Sequence, residues 1–310
     1  MEHRRIGSLE VSVVGIGCNN FGVRLDQAGT DDVVGAALDE GITFFDTADV
    51  YGASRSESFL ATSLGGRRSE VVIATKFGLP SAELPGGGSA AYVRSSCERS
   101  LRELRTDVID LFQYHVRDAT VPLDETMGAM AELVAEGKVR EIGCSNFSSV
   151  DLRAARGIAG VPPFASVQNQ YSLLWREPER DVLDTLDALG MALLPYYPLG
   201  NGLLTGKYRR GEDIDEGTRL GMMPEDRRAH WLGDTLLDIV EAIRAISDDV
   251  GIPMATLAFS WLAHHPEVSS VIAGASSAEQ VRQNAAAVTT LDPSVIERLD
   301  EATASMISPG

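Results

Sequence analysis

The chain has 310 residues, of which 44% are hydrophobic and 23% are charged, as is usual for a globular protein with a buried core. It carries 45 acidic and 27 basic side chains, and the formal net charge of −18 disfavours nucleic acid and anionic membrane surfaces as partners. Three widely spaced cysteines, Cys18, Cys97 and Cys144, predict reduced thiols and argue against a disulfide framework or a metal site. No stretch has the apolar length of a signal peptide or a membrane span, and we expect a cytoplasmic protein.

Strand-like segments alternate with helix-like segments along most of the chain. Residues 4–6 and 10–13, around Gly7-Ser8, predict an amino-terminal hairpin. Eight further apolar or β-branched segments predict buried strands at residues 13–17, 42–45, 71–75, 108–113, 139–143, 164–168, 191–195 and 268–273. Because helices separate these strands, we predict an α/β fold, namely a (β/α)8 TIM barrel with an N-terminal β-hairpin and extra C-terminal helices. No long linker divides the chain, so residues 1–310 are expected to form one domain.

The predicted helices take their bounds from apolar periodicity and from capping residues. They cover residues 31–40 with Thr30 as the N-cap, then 56–64, 89–104, 123–135, 150–157, 179–189, 232–250 and 253–264, and a further helix begins after the last strand. The glycine-rich residues 84–90 are expected to shape the mouth of the barrel. Residues 200–228 are too long for a plain connection and predict a flap that covers a ligand.

Four polar side chains follow three successive predicted strands. Asp46 ends the segment Gly41-Ile42-Thr43-Phe44-Phe45, and Tyr51 follows five positions later; Lys76 and His115 end the next two strands. The carboxyl ends of parallel barrel strands meet at one rim, which is where active sites of this fold are built. An isolated Asp–Tyr pair is more often a helix cap and a packing residue. The convergence of four such side chains favours a catalytic group instead.

This group suits proton transfer to an oxygen atom. A phenol has a reference pKa of about 10, and a neighbouring ammonium such as Lys76 is expected to lower the pKa of Tyr51. Asp46 is expected to hold Lys76 by a charge-assisted hydrogen bond, and a neutral His115 to hold a carbonyl or alcohol oxygen. Together they form a general acid, its two supporting residues and a residue that orients the substrate.

These segments resemble the aldo-keto reductase family, including its branch of potassium-channel β-subunits. The matching motifs are DTADVYG with Glu57 following it, ATK around Lys76, and DLFQYH ending in His115, and they occur in the family's order over nearly the whole chain. The resemblance implies that Tyr51 is the general acid or base, that Lys76 and Asp46 adjust its pKa, and that His115 orients the substrate.

The resemblance also implies a nicotinamide cofactor, although each polar residue alone is more often a helix cap or a strand end. The expected cofactor-binding residues are Gly17, Cys18, Asn19, Asp46, Ser145, Asn146, Gln168, Tyr196, Tyr197, Pro198, Leu199, Gly200, Gly202, Leu203, Lys207, Arg219, Gly274, Ser276, Gln280, Gln283 and Asn284. Within this set, Tyr196 matches the tyrosine that stacks on the nicotinamide. The backbone after Leu199, together with Lys207, is expected at the pyrophosphate. The helix start after Gly274 is expected at the adenosine end.

The sequence departs from the commoner family pattern near the adenosine end. Gly274, Ala275 and Ser276 offer no cation for a 2′-phosphate, although Arg219 and Arg282 are candidates to replace it. NADPH is the expected cofactor, and NADH stays open as the alternative. The expected pocket walls are Phe21, Val50, Tyr51 and Tyr114 with the flap, and Trp175 and Trp231 as further candidates.

The leading hypothesis is an NADPH-dependent oxidoreductase that reduces aldehydes or ketones reversibly to alcohols. Its partner is then a small carbonyl substrate, with no metal, nucleic acid or membrane involved and with the oligomeric state left open. The alternative is a regulatory or redox-sensing protein that binds a nicotinamide cofactor with little turnover. Retention of Asp46, Tyr51, Lys76 and His115 does not separate the two hypotheses, because the channel β-subunits keep these residues too.

Overall fold

A computed structural model describes residues 1–307, apart from the side chain of His230. An amino-terminal hairpin of two antiparallel strands comes first, β1 (His3–Ile6) and β2 (Leu9–Ser12). Its apolar side chains Ile6, Leu9 and Val11 are fully buried against Phe44, Leu111 and other inward-facing residues of the following sheet. The hairpin therefore closes one end of that sheet, as the sequence predicts.

Eight parallel strands form the central sheet. They are β3 (Val14–Gly17), β4 (Phe44–Asp46), β5 (Val72–Phe77), β6 (Ile109–Tyr114), β7 (Val139–Ser145), β8 (Ser166–Gln168), β9 (Ala192–Leu193) and β10 (Val271–Gly274). From β3 to β9 each strand pairs with the next along the chain, and β10 pairs with β3. The β-branched and aromatic content of these segments, buried on both faces, explains why they form parallel strands.

The sheet closes on itself between β9 and the segment before β10. Leu193 pairs in parallel with Val268; the amide of Leu193 donates to the carbonyl of Glu267 (2.7 Å), and that of Ser269 donates to the carbonyl of Leu193 (3.1 Å). With the helices outside, this is the predicted (β/α)8 barrel, and the eight predicted strands are confirmed.

Eleven α-helices surround or follow the barrel within the described residues. They are α1 (Gln27–Asp39), α2 (Ser56–Leu64), α3 (Ala90–Glu103), α4 (Leu123–Ala135), α5 (Ser149–Arg156), α6 (Val182–Leu189), α7 (Glu225–Trp231), α8 (Asp234–Val250), α9 (Met254–His264), α10 (Ala278–Ala285) and α11 (Pro293–Thr303). None of them is long and apolar enough to cross a membrane. Helix α7, at the end of the flap, was not predicted from the sequence, and α11 was predicted only as one of the extra C-terminal helices, without bounds.

The largest error in a predicted helix start is that of α1. Helix α1 begins four residues earlier than predicted, at Gln27, because Asp26 is its N-cap and accepts a hydrogen bond from the amide of Gly29 (2.9 Å). Thr30 lies inside the first turn, where its hydroxyl donates back to the carbonyl of Asp26 (2.8 Å). Either residue type serves as an N-cap, and the backbone of residues 26–29 decides between them.

Candidate active site

A cavity of about 1210 Å³ opens at the carboxyl end of the barrel strands. Residues at or just after these strand ends line it, including Gly17, Asp46, His115, Ser145 and Gln168. Strand pairing sets this alignment, because Gly17 lies beside Asp46 in the ladder, and Ser145 lies beside Gln168. The cavity is larger than the roughly 300–1,000 Å³ of a typical small-molecule site, so it has room for an extended ligand.

The four side chains Asp46, Tyr51, Lys76 and His115, here called the tetrad, meet at the wall of this cavity. Lys76 is fully buried and its Nζ donates to Asp46 Oδ2 (2.6 Å), to the carbonyl of Thr47 (3.0 Å) and to the Tyr51 hydroxyl (3.3 Å). The rings of Tyr51 and His115 meet edge to face with their centroids 5.8 Å apart. The structure therefore brings together all four residues that the sequence singles out.

Burial and the neighbouring charges set the protonation of the tetrad. Burial raises the pKa of Tyr51; the Lys76 ammonium opposes this shift and the Asp46 carboxylate adds to it. The net shift is opposite to the lowering expected from the lysine alone, because loss of solvent outweighs the ammonium. Burial also disfavours the Lys76 ammonium, but Asp46 and Tyr51 outweigh it, so the pKa of Lys76 is raised. At neutral pH, Tyr51 therefore holds its proton and Lys76 its charge.

His115 is neutral, as expected from the sequence. Burial, with a smaller contribution from the Lys76 ammonium, lowers its pKa to about 3. Its Nδ1 atom is buried and has no hydrogen-bond partner among the described residues. A neutral imidazole beside the Tyr51 hydroxyl donates a hydrogen bond without competing for the proton that Tyr51 carries.

Two amide side chains complete the surroundings of Asp46. Asp46 Oδ1 accepts hydrogen bonds from Nε2 of Gln168 (2.7 Å) and from Nε2 of Gln113 (3.1 Å). Gln113 is fully buried on β6 and was not singled out from the sequence, where it reads as an ordinary strand residue. Its only sequence signal is a polar side chain inside an apolar run, two residues before His115.

Glu57, the last residue of the DTADVYG motif region, lies behind the tetrad. It is fully buried on α2 and accepts a hydrogen bond from the hydroxyl of Thr75 (2.6 Å), the residue before Lys76. Burial raises the pKa of Glu57 to about 7. The glutamate joins α2 to β5 and does not line the cavity.

Most of the expected cofactor residues line the cavity. From the set given above, this holds for Gly17, Asn19, Asp46, Ser145, Asn146, Gln168, Tyr196, Tyr197, Pro198, Leu199, Gly202, Lys207, Arg219, Gly274, Ser276, Gln280, Gln283 and Asn284. Cys18, Gly200 and Leu203 lie outside the lining. Cys18 and Leu203 are fully buried, and Gly200 packs so closely on Leu174 that an added Cβ would lie 2.7 Å from its Cδ1.

Polar side chains at the ends of β7 and β8 form a connected group. Asn146 donates from Nδ2 to the carbonyl of His115 (3.1 Å) and accepts at Oδ1 from the Tyr196 hydroxyl (2.8 Å). The Ser145 hydroxyl donates to the carbonyl of Gln168 (2.8 Å). These bonds fix the amide groups at the cavity wall, next to the tetrad.

The predicted flap, residues 200–228, covers part of the cavity. Arg219 donates from Nε to Asn201 Oδ1 (2.9 Å), and its guanidinium lies 4.8 Å from the centroid of the Tyr197 ring. Arg24, from the loop after β3, donates from Nη2 to the carbonyl of Gly217 (2.8 Å). Both arginines therefore join the flap to the barrel, and Arg24 is a cavity residue that the sequence did not single out.

Arg282, the other candidate cation for a 2′-phosphate, does not line the cavity. It lies on α10 and pairs with Glu279 at 3.8 Å.

The pocket walls also differ from the expectation, since Phe21 and Tyr114 are fully buried. Tyr114 stacks on Phe77 and accepts from the amide of Asp118, because alternation along β6 turns it away from the side that His115 faces.

The lining suits a dinucleotide. Arg24, Lys207 and Arg219 bring three cations to the cavity, and none of them forms an ion pair with a described carboxylate. Asn19 Oδ1 is a buried acceptor without a partner among residues 1–307. At Gly274 an added Cβ would meet this oxygen at 3.4 Å, so glycine leaves the space beside it open. Cations for phosphates and amide side chains for a carboxamide are the groups that such a ligand needs.

Comparison with known proteins agrees with this geometry. The model of the aldo/keto reductase family matches residues 13–304. The chain belongs to this family. A Glycine max protein named "Probable aldo-keto reductase 1" is 36% identical over 287 residues, which cover 90% of this chain and 81% of that protein. The aldo-keto reductase AKR11C1 of Bacillus halodurans, solved in its holo form, superposes with a TM-score of 0.81 at 28% identity and covers 97% of this chain and 96% of that one.

Family membership gives this aldo-keto reductase its general activity. It is an oxidoreductase that acts on carbonyl compounds with a nicotinamide cofactor. The sequence-based expectation of the family and of the barrel is thus confirmed.

The turn that carries Tyr51 generates a first prediction. Gly52 has φ +65°, and a Cβ there would lie 2.1 Å from the carbonyl oxygen of Phe21. We expect Gly52→Ala to lower the free energy of unfolding by more than about 3 kcal/mol and to reduce kcat, because the turn must move. Gly190→Ala is the matched control: its φ is +64° in the left-handed helical region, with open space around it. There we expect only the backbone strain of about 1 kcal/mol. Equal effects of the two substitutions in chemical denaturation would contradict the role of the turn.

Proposed function

We propose that this aldo-keto reductase is an NADPH-dependent reductase of aldehydes and ketones, which also oxidises the corresponding alcohols. The observation that carries the proposal is the contact of the Tyr51 hydroxyl with Lys76 Nζ, and of the Tyr51 ring with the His115 ring, at the wall of a cavity lined by unpaired cations. In this assignment Tyr51 is the general acid, Lys76 and Asp46 support it, and His115 orients the substrate oxygen.

The chemistry follows from the protonation of these side chains. When bound, the cofactor would supply a hydride to the carbonyl carbon. Tyr51, which holds its proton at neutral pH, gives that proton to the carbonyl oxygen as negative charge develops there. The Lys76 ammonium then stabilises the phenolate that remains, and Asp46 keeps the ammonium in place. In the reverse reaction the phenolate accepts the proton of the alcohol.

The cofactor residues have separate proposed roles. Asn146, Ser145 and Gln168 would hold the carboxamide, and Tyr196 would pack on the ring beside them. Lys207 and the backbone of residues 197–203 would receive the pyrophosphate. Ser276, Gln280, Gln283 and Asn284 would surround the adenosine. Arg219 would then supply the positive charge that favours NADPH over NADH.

Removal of the phenolic hydroxyl tests the proposed acid. We expect Tyr51→Phe to lower kcat for carbonyl reduction by at least about 100-fold, because general acid catalysis commonly contributes that much. Cofactor affinity, measured by quenching of protein fluorescence, should change little. Tyr92→Phe removes a hydroxyl that lies on α3 and bonds Asp49 outside the cavity, and it should leave kcat unchanged. Normal turnover by Tyr51→Phe on an active substrate would refute the assignment.

The pH dependence of reduction follows from the pKa directions. His115, with a pKa of about 3, stays neutral throughout the neutral range, so no inflection is expected near 6.5, the ordinary pKa of histidine. Tyr51 must be protonated to act as the acid, and its pKa is raised above 10.0. The rate should therefore stay level through neutral pH and fall only in strongly alkaline solution. An inflection near pH 6.5 in kcat, measured with a non-ionising substrate, would contradict the neutral His115.

Cofactor choice tests the role of Arg219. We expect Arg219→Met to weaken NADPH binding about tenfold, which corresponds to about 1.4 kcal/mol, and to weaken NADH binding less. Arg282→Met is the control, since Arg282 does not line the cavity. Titration of both cofactors against both variants gives the comparison. An equal loss for NADPH and NADH would assign Arg219 to the pyrophosphate and remove the argument for NADPH.

A further inference from the structure

Gln113 is a fully buried amide inside the barrel, and its contacts differ on its two sides. Nε2 donates to Asp46 Oδ1 at 3.1 Å, whereas Oε1 is buried without a hydrogen-bond partner among the described residues. Asp46 is ionised in its pair with Lys76 and only accepts hydrogen bonds, so the amide nitrogen must face it. This orientation leaves Oε1 on the other side. The position therefore carries a buried polar atom that an apolar side chain of similar size would avoid.

Packing gives no reason for an amide at this place. Gln113 lies on β6 between Phe112 and Tyr114, in a strand buried along its whole length. A methionine would fill a similar volume and would leave no polar atom unpaired. The benefit of glutamine must therefore come from the hydrogen bond to Asp46.

A second amide makes the same bond, but from a different place. Gln168 donates to Asp46 Oδ1 at 2.7 Å and lines the cavity, whereas Gln113 does not line it. A ligand carboxamide in the cavity competes for the polar atoms of Gln168. Gln113 lies outside that lining, so its bond to Asp46 is not exposed to this competition.

We propose that Gln113 is a positioning residue that keeps Asp46, and through it Lys76, directed at Tyr51 when a ligand engages Gln168. This inference rests on the proposed function of Tyr51 as general acid and base. Gln113 acts in two ways: its hydrogen bond fixes the orientation of the carboxylate, and its N–H group offsets part of the carboxylate charge.

The charged neighbours of Tyr51 determine whether loss of Gln113 raises or lowers the pKa of the Tyr51 hydroxyl. The titratable groups around its hydroxyl are Asp46, Lys76, His115, Tyr196 and Tyr197. Asp46 raises the pKa of Tyr51, and it is the member of this set that Gln113 bonds. Loss of the Gln113 donor leaves more negative charge on Asp46, so the pKa of Tyr51 rises further. Alcohol oxidation needs the phenolate, so its rate should then increase only at higher pH.

Gln113→Met tests the proposal in turnover. We expect kcat for alcohol oxidation to fall about tenfold and its rise with pH to move upward by at least about half a unit, with the Kd for the cofactor unchanged. Ser166→Ala is the matched control. Ser166 lies on the neighbouring part of the barrel interior, and its Oγ is also buried without a described partner, but it does not contact the tetrad. Wild-type kcat and pH dependence in Gln113→Met would overturn the proposal.

Thermal unfolding gives a second readout that needs no cofactor. In the wild-type background, Gln113→Met should lower Tm by about 2–4 °C, because a buried carboxylate loses a donor. In the background Asp46→Leu with Lys76→Met, the glutamine has no charged acceptor, and Gln113→Met should leave Tm unchanged or raise it. A purely packing role predicts the same loss in both backgrounds, and that result would overturn the proposal.

The two readouts separate this inference from the proposed function. If the wild-type protein turns over no carbonyl or alcohol, the proposed function fails, and the unfolding cycle still tests the bond between Gln113 and Asp46. If the Asp46→Leu, Lys76→Met background does not fold, the proposal is tested by turnover alone. The kcat and the pH profile of alcohol oxidation by Gln113→Met are then compared with those of Ser166→Ala. If the protein is active and both readouts match the control, Gln113 has no positioning role.

Discussion

The ion pair of Lys76 and Asp46 is the interaction on which the rest of the site depends. An ammonium that is fully removed from water is unstable unless an opposite charge and further hydrogen bonds accompany it. Here Asp46 lies on β4 and Lys76 on the adjacent β5, two residues beyond the ladder partner of Asp46. The parallel register of two neighbouring strands thus sets the distance between the charges. The closed barrel holds that register, which explains why the pair forms in a rigid part of the molecule.

The cavity also reverses the electrostatic character of the protein as a whole. The chain has a formal net charge of −18, yet Arg24, Lys207 and Arg219 line the cavity without ion pairs to described carboxylates. Other arginines pair with carboxylates, as Arg67 does with Glu70 and Arg298 with Asp249. The three cations of the cavity therefore attract a polyanionic ligand, although the net charge of the protein is negative. This concentrates its binding at the rim of the barrel.

Much of the fold and the tetrad was predictable from the sequence because buried parallel strands are apolar along their length and end in polar residues. The segments before Asp46, Lys76 and His115 have this form, so both the strands and the catalytic candidates follow from one pattern. The bounds were less accurate: β5 runs on to Phe77, past the predicted end, because its ladder with β6 continues beyond Lys76.

Other features depend on tertiary contacts and were not predictable. The net pKa shift of Tyr51 depends on how much solvent the folded chain removes, and the spacing of residues does not contain that information. Tyr114 is next to His115 in sequence, which predicts a pocket wall, but alternation along the strand turns its ring to the other side, where it stacks on Phe77. Gln113 and Arg24 acquire their roles from partners 67 and 193 residues away along the chain.

The amino-terminal hairpin has a consequence for the route that ligands take. Ile6, Leu9 and Val11 fill the barrel at the end opposite the tetrad, so that end offers no passage. A dinucleotide that extends under residues 200–228 then occupies the deep part of the same opening through which a smaller molecule must come and go. On the proposed placement of the cofactor, the long molecule would arrive before the short one and depart after it, as in an ordered two-substrate enzyme.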